Sequence, residues 1–266
     1  MTQSKLAGKV VWIIGASSGI GEALAIDLAA GGAILVLSAR RQDVLESVRA
    51  KCASPEKHLV LPLDMLQPAQ FSGAVAAVNE RLARIDIQIH CAGISQRATA
   101  IETDPKVDRQ LVELNYLGPV VLTKQVLPQM VARGEGHIVV ISSLLGKFAV
   151  PMRSAYAGSK HALHGFFDAL RAEVASQGIS VTVVCPGFIR TNASYNALEG
   201  DGTPHNRMDT EIDRGLPPEV CARRIVRAIE RRRPEVYVAG KEVFGLYLSR
   251  FAPRLFRRLI RLRSRT

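Results

Sequence analysis

A glycine-rich turn near the start of the chain constrains the fold more than any other stretch of the sequence. The turn, GASSGIG at residues 15–21, follows a short apolar run at 10–14 and precedes a helical pattern. Gly15, Gly19 and Gly21 leave the backbone bare where it can approach a pyrophosphate, whose negative charge suits the amino end of a helix. This strand–turn–helix order predicts a dinucleotide-binding unit, and 266 residues suffice for one doubly wound α/β domain with a full core.

A tyrosine and a lysine four residues apart form the candidate catalytic pair. Tyr156 and Lys160 lie in a segment with helical apolar spacing, so both side chains emerge on one helix face. A tyrosine titrates near ~10, so proton transfer around neutrality requires its pKa to fall by about three units, or roughly 4 kcal/mol. An exposed ion pair contributes only about 0.2 to 1 kcal/mol, whereas a lysine at ~4 Å in a partly dry site can supply that amount. The pair therefore predicts a closed pocket.

Ser143 lies thirteen residues before Tyr156 and follows an apolar run at 138–141 that is typical of a buried strand. It is therefore expected at the carboxyl end of that strand, where ligands collect in open parallel sheets.

Taken together, the GASSGIG turn, Ser143 and the Tyr156-x-x-x-Lys160 motif resemble the short-chain dehydrogenase/reductase family, from about Lys9 to Gly240. The resemblance implies that Ser143 hydrogen-bonds the substrate oxygen and that Tyr156 passes its proton. Lys160 would lower the phenol's pKa and hold the nicotinamide ribose. Asn115 would hold a water that completes the proton relay; the alternative is a plain intrahelical polar residue.

The expected architecture is a single Rossmann-type, doubly wound parallel sheet with helices on both faces, occupying residues 1–240. Apolar runs bounded by turn residues predict its strands at 10–14, 34–38, 58–63, 85–89, 138–141, 179–184 and 235–238.

The residues after the second predicted strand bear on which cofactor binds. An unphosphorylated dinucleotide requires a carboxylate there for the ribose 2′-hydroxyl, and a 2′-phosphate requires an arginine. Ala39 offers no carboxylate, whereas Arg40 offers a bidentate cation. This indicates NADP(H) rather than NAD(H), with Arg41 either a second contact or a solvated helix start.

The resemblance also implies the remaining cofactor contacts. Asp64 would bind the adenine amino group or cap a helix, Ile189 the nicotinamide carboxamide, and Thr191 the phosphates. His90 and Cys91 depart from the amides usual in the family. The full expected set is Gly15, Ser17, Ser18, Gly19, Ile20, Gly21, Arg40, Arg41, Asp64, Met65, Ala92, Gly93, Tyr156, Lys160, Pro186, Gly187, Ile189 and Thr191.

The substrate pocket is expected between the apolar loop after Ser143 and a long segment that has little apolar periodicity. Leu145 and Phe148 of the loop are candidate substrate contacts with Ser143 and Tyr156, although such residues also fit plain core. Residues 192–216 are expected to form a lid over the substrate. His161 and His164 share a helix face, but no carboxylate or cysteine accompanies them in sequence, so no metal site is expected.

The carboxyl-terminal tail, residues 241–266, carries much of the chain's basic character. The net charge is +11, and residues 220–266 hold 14 Lys and Arg against 3 Asp and Glu. Six apolar residues recur at spacings of three and four with arginines between them, which predicts a basic amphipathic helix, bent at Pro253. It fits an anionic lipid surface or packing against the body or a partner subunit; the stripe is too apolar for nucleic acid. The apolar residues are Phe244, Leu248, Phe251, Leu255, Leu259 and Leu262, and the arginines are Arg250, Arg254, Arg257, Arg258, Arg261 and Arg265.

The expected function is that of an NADP(H)-dependent carbonyl reductase or alcohol dehydrogenase acting on a hydrophobic small molecule. The alternatives are a dinucleotide sensor or scaffold without turnover, and an epimerase or dehydratase that uses the same site. No apolar run approaches the ~20 residues of a membrane span, so a cytoplasmic protein is expected, with the tail as its candidate for peripheral membrane association. The four cysteines are expected to be reduced and structural, and the resemblance implies a homodimer or homotetramer.

Overall fold

Seven strands form one parallel sheet in the computed structural model, which describes residues 4–263 of the chain. They are β1 (Val10–Ile14), β2 (Ile34–Ser38), β3 (Leu59–Val60), β4 (Ile87–His90), β5 (Gly136–Ile141), β6 (Ile179–Pro186) and β7 (Glu235–Val238). The sheet order is β3-β2-β1-β4-β5-β6-β7, so the strand order reverses direction between β1 and β4. The predicted doubly wound sheet is confirmed, and ligands bind at such a reversal.

Helices cover both faces of this sheet. They are α1 (Gly19–Ala30), α2 (Gln42–Lys51), α3 (Phe71–Leu82), α4 (Pro105–Val112), α5 (Gly118–Arg133), α6 (Ser154–Val174), α7 (Thr210–Asp213), α8 (Pro218–Glu230), α9 (Val243–Phe251) and α10 (Pro253–Arg263). One core layer joins the sheet to α1, α2 and α8, and the other joins it to α3, α5 and α6. Side chains of β1 alternate between the two layers, with Ile13 on one side and Trp12 on the other, as strand geometry requires.

The third strand is shorter than predicted. Only Leu59 and Val60 form the strand, although Leu61 N and Leu63 N still donate to the carbonyls of Leu37 and Ala39. β4 lies one to two residues further along the chain than the predicted 85–89, because Asp86 turns its carboxylate onto Val10 N (2.8 Å) just before that strand begins.

The tail folds as two helices that meet at Ala252, the residue before Pro253. Ala252 leaves helical geometry (φ −133°, ψ 60°), as expected for a residue that precedes proline. The ring of Phe256 in α10 packs edge-on against Phe148, with centroids 5.4 Å apart. Arg265, one of the predicted tail cations, lies outside the described residues. Within residues 4–263 the structure holds no helix with the length and apolarity to span a bilayer.

Candidate active site

The predicted catalytic serine and tyrosine meet at the carboxyl edge of the sheet. Ser143 follows β5 with extended backbone, and its Oγ accepts a hydrogen bond from Leu145 N (3.1 Å). Tyr156 lies in the first turn of α6, and its phenol forms a hydrogen bond with the Ser143 side chain. The two hydroxyl groups are therefore neighbours, so that one substrate oxygen could contact both.

Lys160 is buried beside this phenol, with 4% of its surface exposed. Its Nζ donates to the carbonyl of Ile141 (2.9 Å) and lies 5.9 Å from the centroid of the Tyr156 ring. Burial strips water from the ammonium group and lowers the pKa of Lys160 from 10.5 to about 8. The predicted arrangement of both side chains on one helix face is present.

The electrostatics of the phenol differ from those expected from the sequence. Burial raises the pKa of Tyr156, and this effect outweighs the Ser143 hydrogen bond and the nearby charges of Arg97 and Arg153, all of which lower it. The cations that lower the pKa of the phenol here are thus Arg97 and Arg153 and not, as the motif led us to expect, Lys160. Arg153 is three residues from Tyr156, so helical spacing could have indicated it, whereas no sequence signal indicates Arg97.

Asn115 lies in a wide helical turn, Glu113–Leu117, that joins α4 to α5 with π-type hydrogen bonding. The residue is 1% exposed, and its side chain is fully engaged with its surroundings. Oδ1 accepts from Ile94 N (2.9 Å), while Nδ2 donates to Ile94 O (2.9 Å) and Ser159 Oγ (3.0 Å). Asn115 therefore fixes the loop after β4 against α6, and the predicted water relay stays a prediction.

The glycine turn is packed so closely that a side chain would open it. A Cβ on Gly15 (φ +94°) would lie 2.4 Å from the backbone nitrogen of Ala92, and one on Gly21 would lie 2.0 Å from the carbonyl oxygen of Gly15. Ser18 precedes α1 with extended backbone, and its side chain makes no capping hydrogen bond to that helix within the described residues. The amino end of α1 therefore faces a bare backbone cradle, which fits the pyrophosphate of a dinucleotide.

The other predicted cofactor residues surround this cradle, with Ser17 and Ile20 in the turn itself. Arg40 and Arg41 are exposed just beyond β2. Thr191 contacts Gly19, where a Cβ would lie 2.9 Å from the threonine methyl group. Gly93 lies so close to the catalytic groups that its Cβ would be 3.4 Å from Lys160 Nζ. The carboxyl ends of β1, β2, β4, β5 and β6 thus bring these residues to one edge.

Three predicted cofactor residues have clear structural roles. The Asp64 carboxylate accepts from Leu66 N (3.0 Å) and holds a turn. Met65 and Ile189 bury their side chains in the two core layers. Ile189 also pairs with Leu216, although the backbone hydrogen bonds of that bridge are made by its neighbours. Only the backbone of Ile189 is therefore placed to face a ligand.

The Pro186-Gly187 turn at the end of β6 is held by β7 and by the tail. Gly187 N donates to Val238 O (3.0 Å), and the Glu242 carboxylate accepts from Phe188 N (2.9 Å). A Cβ on Gly187 would lie 2.0 Å from Glu242 Oε1, so glycine allows this close contact.

An apolar wall that sequence reasoning missed flanks Tyr156. Val107, Leu111 and Leu198 are buried together, and Ile94 and Tyr156 pack against them. Leu198 belongs to residues 192–216, the predicted lid, whose lack of periodicity gave no sign that it reaches the core. Of the predicted substrate contacts, Leu145 is partly buried near Ser143, while Phe148 packs on α10 and Gly245.

His90 and Cys91, which depart from the family pattern, are both uncharged near neutral pH because of burial. His90 Nε2 is 2.9 Å from Thr123 Oγ1, and burial lowers the pKa of His90 to about 3. Burial also raises the pKa of the Cys91 thiol to about 12, and Cys91 N donates to Ile14 O (2.8 Å). The backbone therefore keeps the loop in place without the usual amides.

The sequence argument that no thiol or carboxylate accompanies the α6 histidines is wrong for His164. Cys185 Sγ lies 3.7 Å from His164 Nε2, and Glu235 Oε1 lies 4.0 Å from Nδ1. Glu235 is already paired with Lys147 at 2.7 Å. These partners come from β6 and β7, which spacing within α6 cannot indicate.

Comparisons with known proteins agree over almost the whole chain. A family model described as short chain dehydrogenase matches residues 9–201. The chain is 41% identical over 264 residues to dehydrogenase/reductase SDR family member 7B of Bos taurus, covering 96% of this chain and 81% of that protein. Among solved structures, a short-chain dehydrogenase from Streptomyces avermitilis has a TM-score of 0.83 at 31% identity, covering 97% of this chain and 98% of that one. A short chain dehydrogenase/reductase from Burkholderia phymatum in complex with NAD shares the fold, with a TM-score of 0.83 at 22% identity and 96% coverage of both chains.

Proposed function

Because the chain belongs to the short-chain dehydrogenase/reductase family and is therefore an oxidoreductase, we propose that it interconverts a carbonyl group and an alcohol with NADP(H). The observation that carries the proposal is the Tyr156 phenol, hydrogen-bonded to Ser143 and placed beside the buried Lys160 ammonium. This group lies at the same sheet edge as the glycine cradle. A proton donor and a dinucleotide site thus adjoin.

Each side chain then has a separate task in the reaction. Ser143 and Tyr156 hold the substrate oxygen, and Tyr156 donates its proton to that oxygen as the alcohol forms. The positive charges near the phenol, Lys160, Arg97 and Arg153, stabilise the phenolate that remains. Gly15, with the rest of the turn, would hold the pyrophosphate. The bound cofactor supplies the hydride.

Replacing Tyr156 by Phe tests this assignment, because it removes the acidic hydroxyl and keeps the ring. Turnover of ketones should fall at least about 10²-fold, the lower end of what a positioned acid contributes, while NADPH fluorescence titration should give an unchanged Kd. Tyr195→Phe, at an exposed tyrosine, is the matched control and should keep full activity. A wild-type protein that binds NADPH but reduces no ketone in a broad panel would instead indicate a sensor or scaffold. A Tyr156→Phe variant with normal turnover would rule out the assigned acid.

The preference for NADP(H) is carried by Arg40. It is exposed immediately after β2, and the preceding Ala39 has no carboxylate that would repel a 2′-phosphate. A guanidinium pairs bidentately with phosphate, and hydrogen bonds to charged groups contribute about 1.5–3 kcal/mol. Arg40→Ala should therefore lower kcat/KM for NADPH by about 10- to 100-fold and leave that for NADH unchanged. Equal losses with both cofactors would contradict the assignment, and Arg41→Ala measures the share of the second arginine.

The tail supports an anionic lipid surface as a partner. Phe244 is 69% exposed and Phe251 is 80% exposed, so this side of the tail is uncovered, whereas Phe256 packs on Phe148. No Asp or Glu follows Glu242, while Arg250 near the end of α9 is followed by arginines throughout α10. Exposed aromatic rings flanked by cations are typical of helices that lie at a membrane interface.

Vesicle sedimentation tests the lipid partner. Vesicles with 30 mol% phosphatidylserine (about a third of the lipid, to give a strongly anionic surface) should retain the wild type at low salt and release it at high salt. A Phe251→Ser, Leu255→Ser variant should lose binding. Point changes are preferable to truncation, because Glu242 also holds the loop at Phe188. If the same variant instead converts a dimer to a monomer and vesicles bind neither protein, the tail is a subunit contact.

A further inference from the structure

Two arginines from distant parts of the chain meet beside Tyr156. Arg97 lies in the stretch that follows β4 and is 5% exposed, and Arg153 is the residue before α6. Both guanidinium groups reach the same carboxylate oxygen, Asp209 Oδ2, at 2.8 Å from Arg97 Nε and 3.5 Å from Arg153 Nη2. Two cations in a partly desolvated place therefore share one carboxylate, an arrangement that disfavours both charges unless another anion joins them.

Arg97 uses its whole guanidinium on the protein itself. Besides Asp209, it donates from Nη1 to Ser95 Oγ and to the Gln96 carbonyl, both at 2.8 Å, and from Nη2 to Ser194 Oγ at 3.4 Å. These bonds account for all five of its N–H donors. Arg97 thus fastens residues 192–216 to the loop after β4, and it has no donor left for a ligand.

Arg153 uses few of its hydrogen-bond donors within the described residues. Within the described residues its hydrogen bonds are one to the Met152 carbonyl (3.1 Å) and the long one to Asp209, which leaves most of its five donors for a ligand. The other nearby carboxylate, Glu199, is already hydrogen-bonded to His205 at 2.5 Å. His205 also approaches Asp209, at 3.6 Å. Arg153 is therefore the cation with the weakest compensation in this cluster.

The charge of Arg153 survives this environment. Burial and the neighbouring charge of Arg97 lower the pKa of Arg153 to about 10, which still leaves it protonated near neutral pH. The guanidinium acts on the Tyr156 phenol, and the apolar wall of Val107, Leu111 and Leu198 lines the same neighbourhood. A molecule whose carbonyl meets Tyr156 would thus have apolar side chains and an under-compensated cation as neighbours.

We propose that Arg153 binds a carboxylate or phosphate group of the substrate, so that the enzyme acts on ketones that are apolar along most of their length and anionic near the carbonyl. This inference rests on the proposed carbonyl reduction at Tyr156. The planar guanidinium matches both oxyanions bidentately, and the bound anion would take the place that Asp209 fills only at long range.

Matched ketones test the proposal. All members of the set are ketones with one long alkyl arm and one short arm. The short arm ends in a carboxylate or a phosphate monoester, and the neutral analogues carry a methyl ester or an alcohol there. The wild type should favour an anionic member over its neutral analogue by at least 10-fold in kcat/KM. Arg153→Gln should lower kcat/KM for the anionic ketones by about 10- to 100-fold, chiefly through KM, and change the neutral ones less than threefold. Arg153→Lys should restore part of the loss, and the carboxylate and phosphate arms distinguish the two anions.

Two controls make the outcome decisive. Arg81→Gln, at an exposed arginine of α3, should leave both substrate groups unchanged. Thermal unfolding and NADPH titration establish that Arg153→Gln is folded and binds cofactor. Equal losses for anionic and neutral ketones, or a wild-type preference for the neutral members, would overturn the proposal. If the wild type reduces no ketone, the proposed function fails first. Titration of the folded protein with phosphate or acetate, followed by intrinsic fluorescence in the wild type and in Arg153→Gln, still reports whether Arg153 binds an anion.

Discussion

Replacing Lys160 by Met should stabilise the protein without cofactor while abolishing its activity. The pKa of this lysine falls from 10.5 to about 8 on folding, because the ammonium loses its water. At 1.36 kcal/mol for each pKa unit, keeping the charge buried at pH 7 costs about 3 kcal/mol. Met has a similar shape and no charge, but it loses the hydrogen bond to Ile141 O, which contributes about 1 kcal/mol. The variant should therefore gain about 2 kcal/mol at pH 7.

This gain should disappear as the pH rises. The unfolded chain keeps the lysine proton up to pH 10.5 and the folded chain only up to about 8, so between these values the unfolded state binds more protons. Wild-type stability therefore rises with pH across this window, and at pH 9.5 the remaining penalty of about 1.4 kcal/mol nearly cancels the lost hydrogen bond. Urea unfolding of both proteins at pH 7 and pH 9.5 measures the difference directly. Lys57→Met, at an exposed lysine, should shift stability by less than about 0.5 kcal/mol at either pH. A Lys160→Met protein that is less stable than wild type at pH 7, or a difference that ignores pH, would refute the reasoning.

Three further substitutions test, one at a time, the glycine cradle, the buried amide of Asn115 and the hydrophobic core. Gly15→Ala should abolish NADPH binding in a fluorescence titration, because its methyl group would lie 2.4 Å from backbone, whereas Gly158→Ala, with open space around it, should bind normally and melt no lower. Asn115→Ala should cost about 1–3 kcal/mol in urea unfolding, since it leaves the backbone N–H of Ile94 without its acceptor; an unchanged midpoint would show that the loop after β4 is held by other contacts. Phe167→Ala should cost about 3–5 kcal/mol because this ring is fully buried between α6 and the sheet, and a loss below 1 kcal/mol would mean that the site collapses around the missing ring.

The sequence was most informative where the spacing of residues within one helix or strand determines the structure. The apolar runs predicted all seven strands, and the four-residue spacing placed Tyr156 and Lys160 on one face of α6. The tail helices also followed from spacing, including the break before Pro253.

What the sequence could not indicate depends on contacts between distant segments. Asp209 is 112 residues from Arg97 and 56 from Arg153, and it lies in a segment without apolar periodicity. No local pattern in the sequence therefore indicates that these three residues are in contact. The same holds for the thiol and carboxylate beside His164. The direction of the phenol's pKa depends on how far packing excludes water, and a motif carries no information on that quantity.

The wide turn at Glu113–Leu117, in which Gly118 N donates to the carbonyl five residues back, acts as a phase shift within one continuous helix. The half before it directs Val107 and Leu111 toward the pocket wall, and the half after it directs Val126 and Met130 into the core. If the same residues closed into ordinary α turns instead, one half would rotate by about 100° against the other. Either the pocket wall or the core would then face the wrong way, so the extra residue lets a single helix serve two differently oriented surfaces.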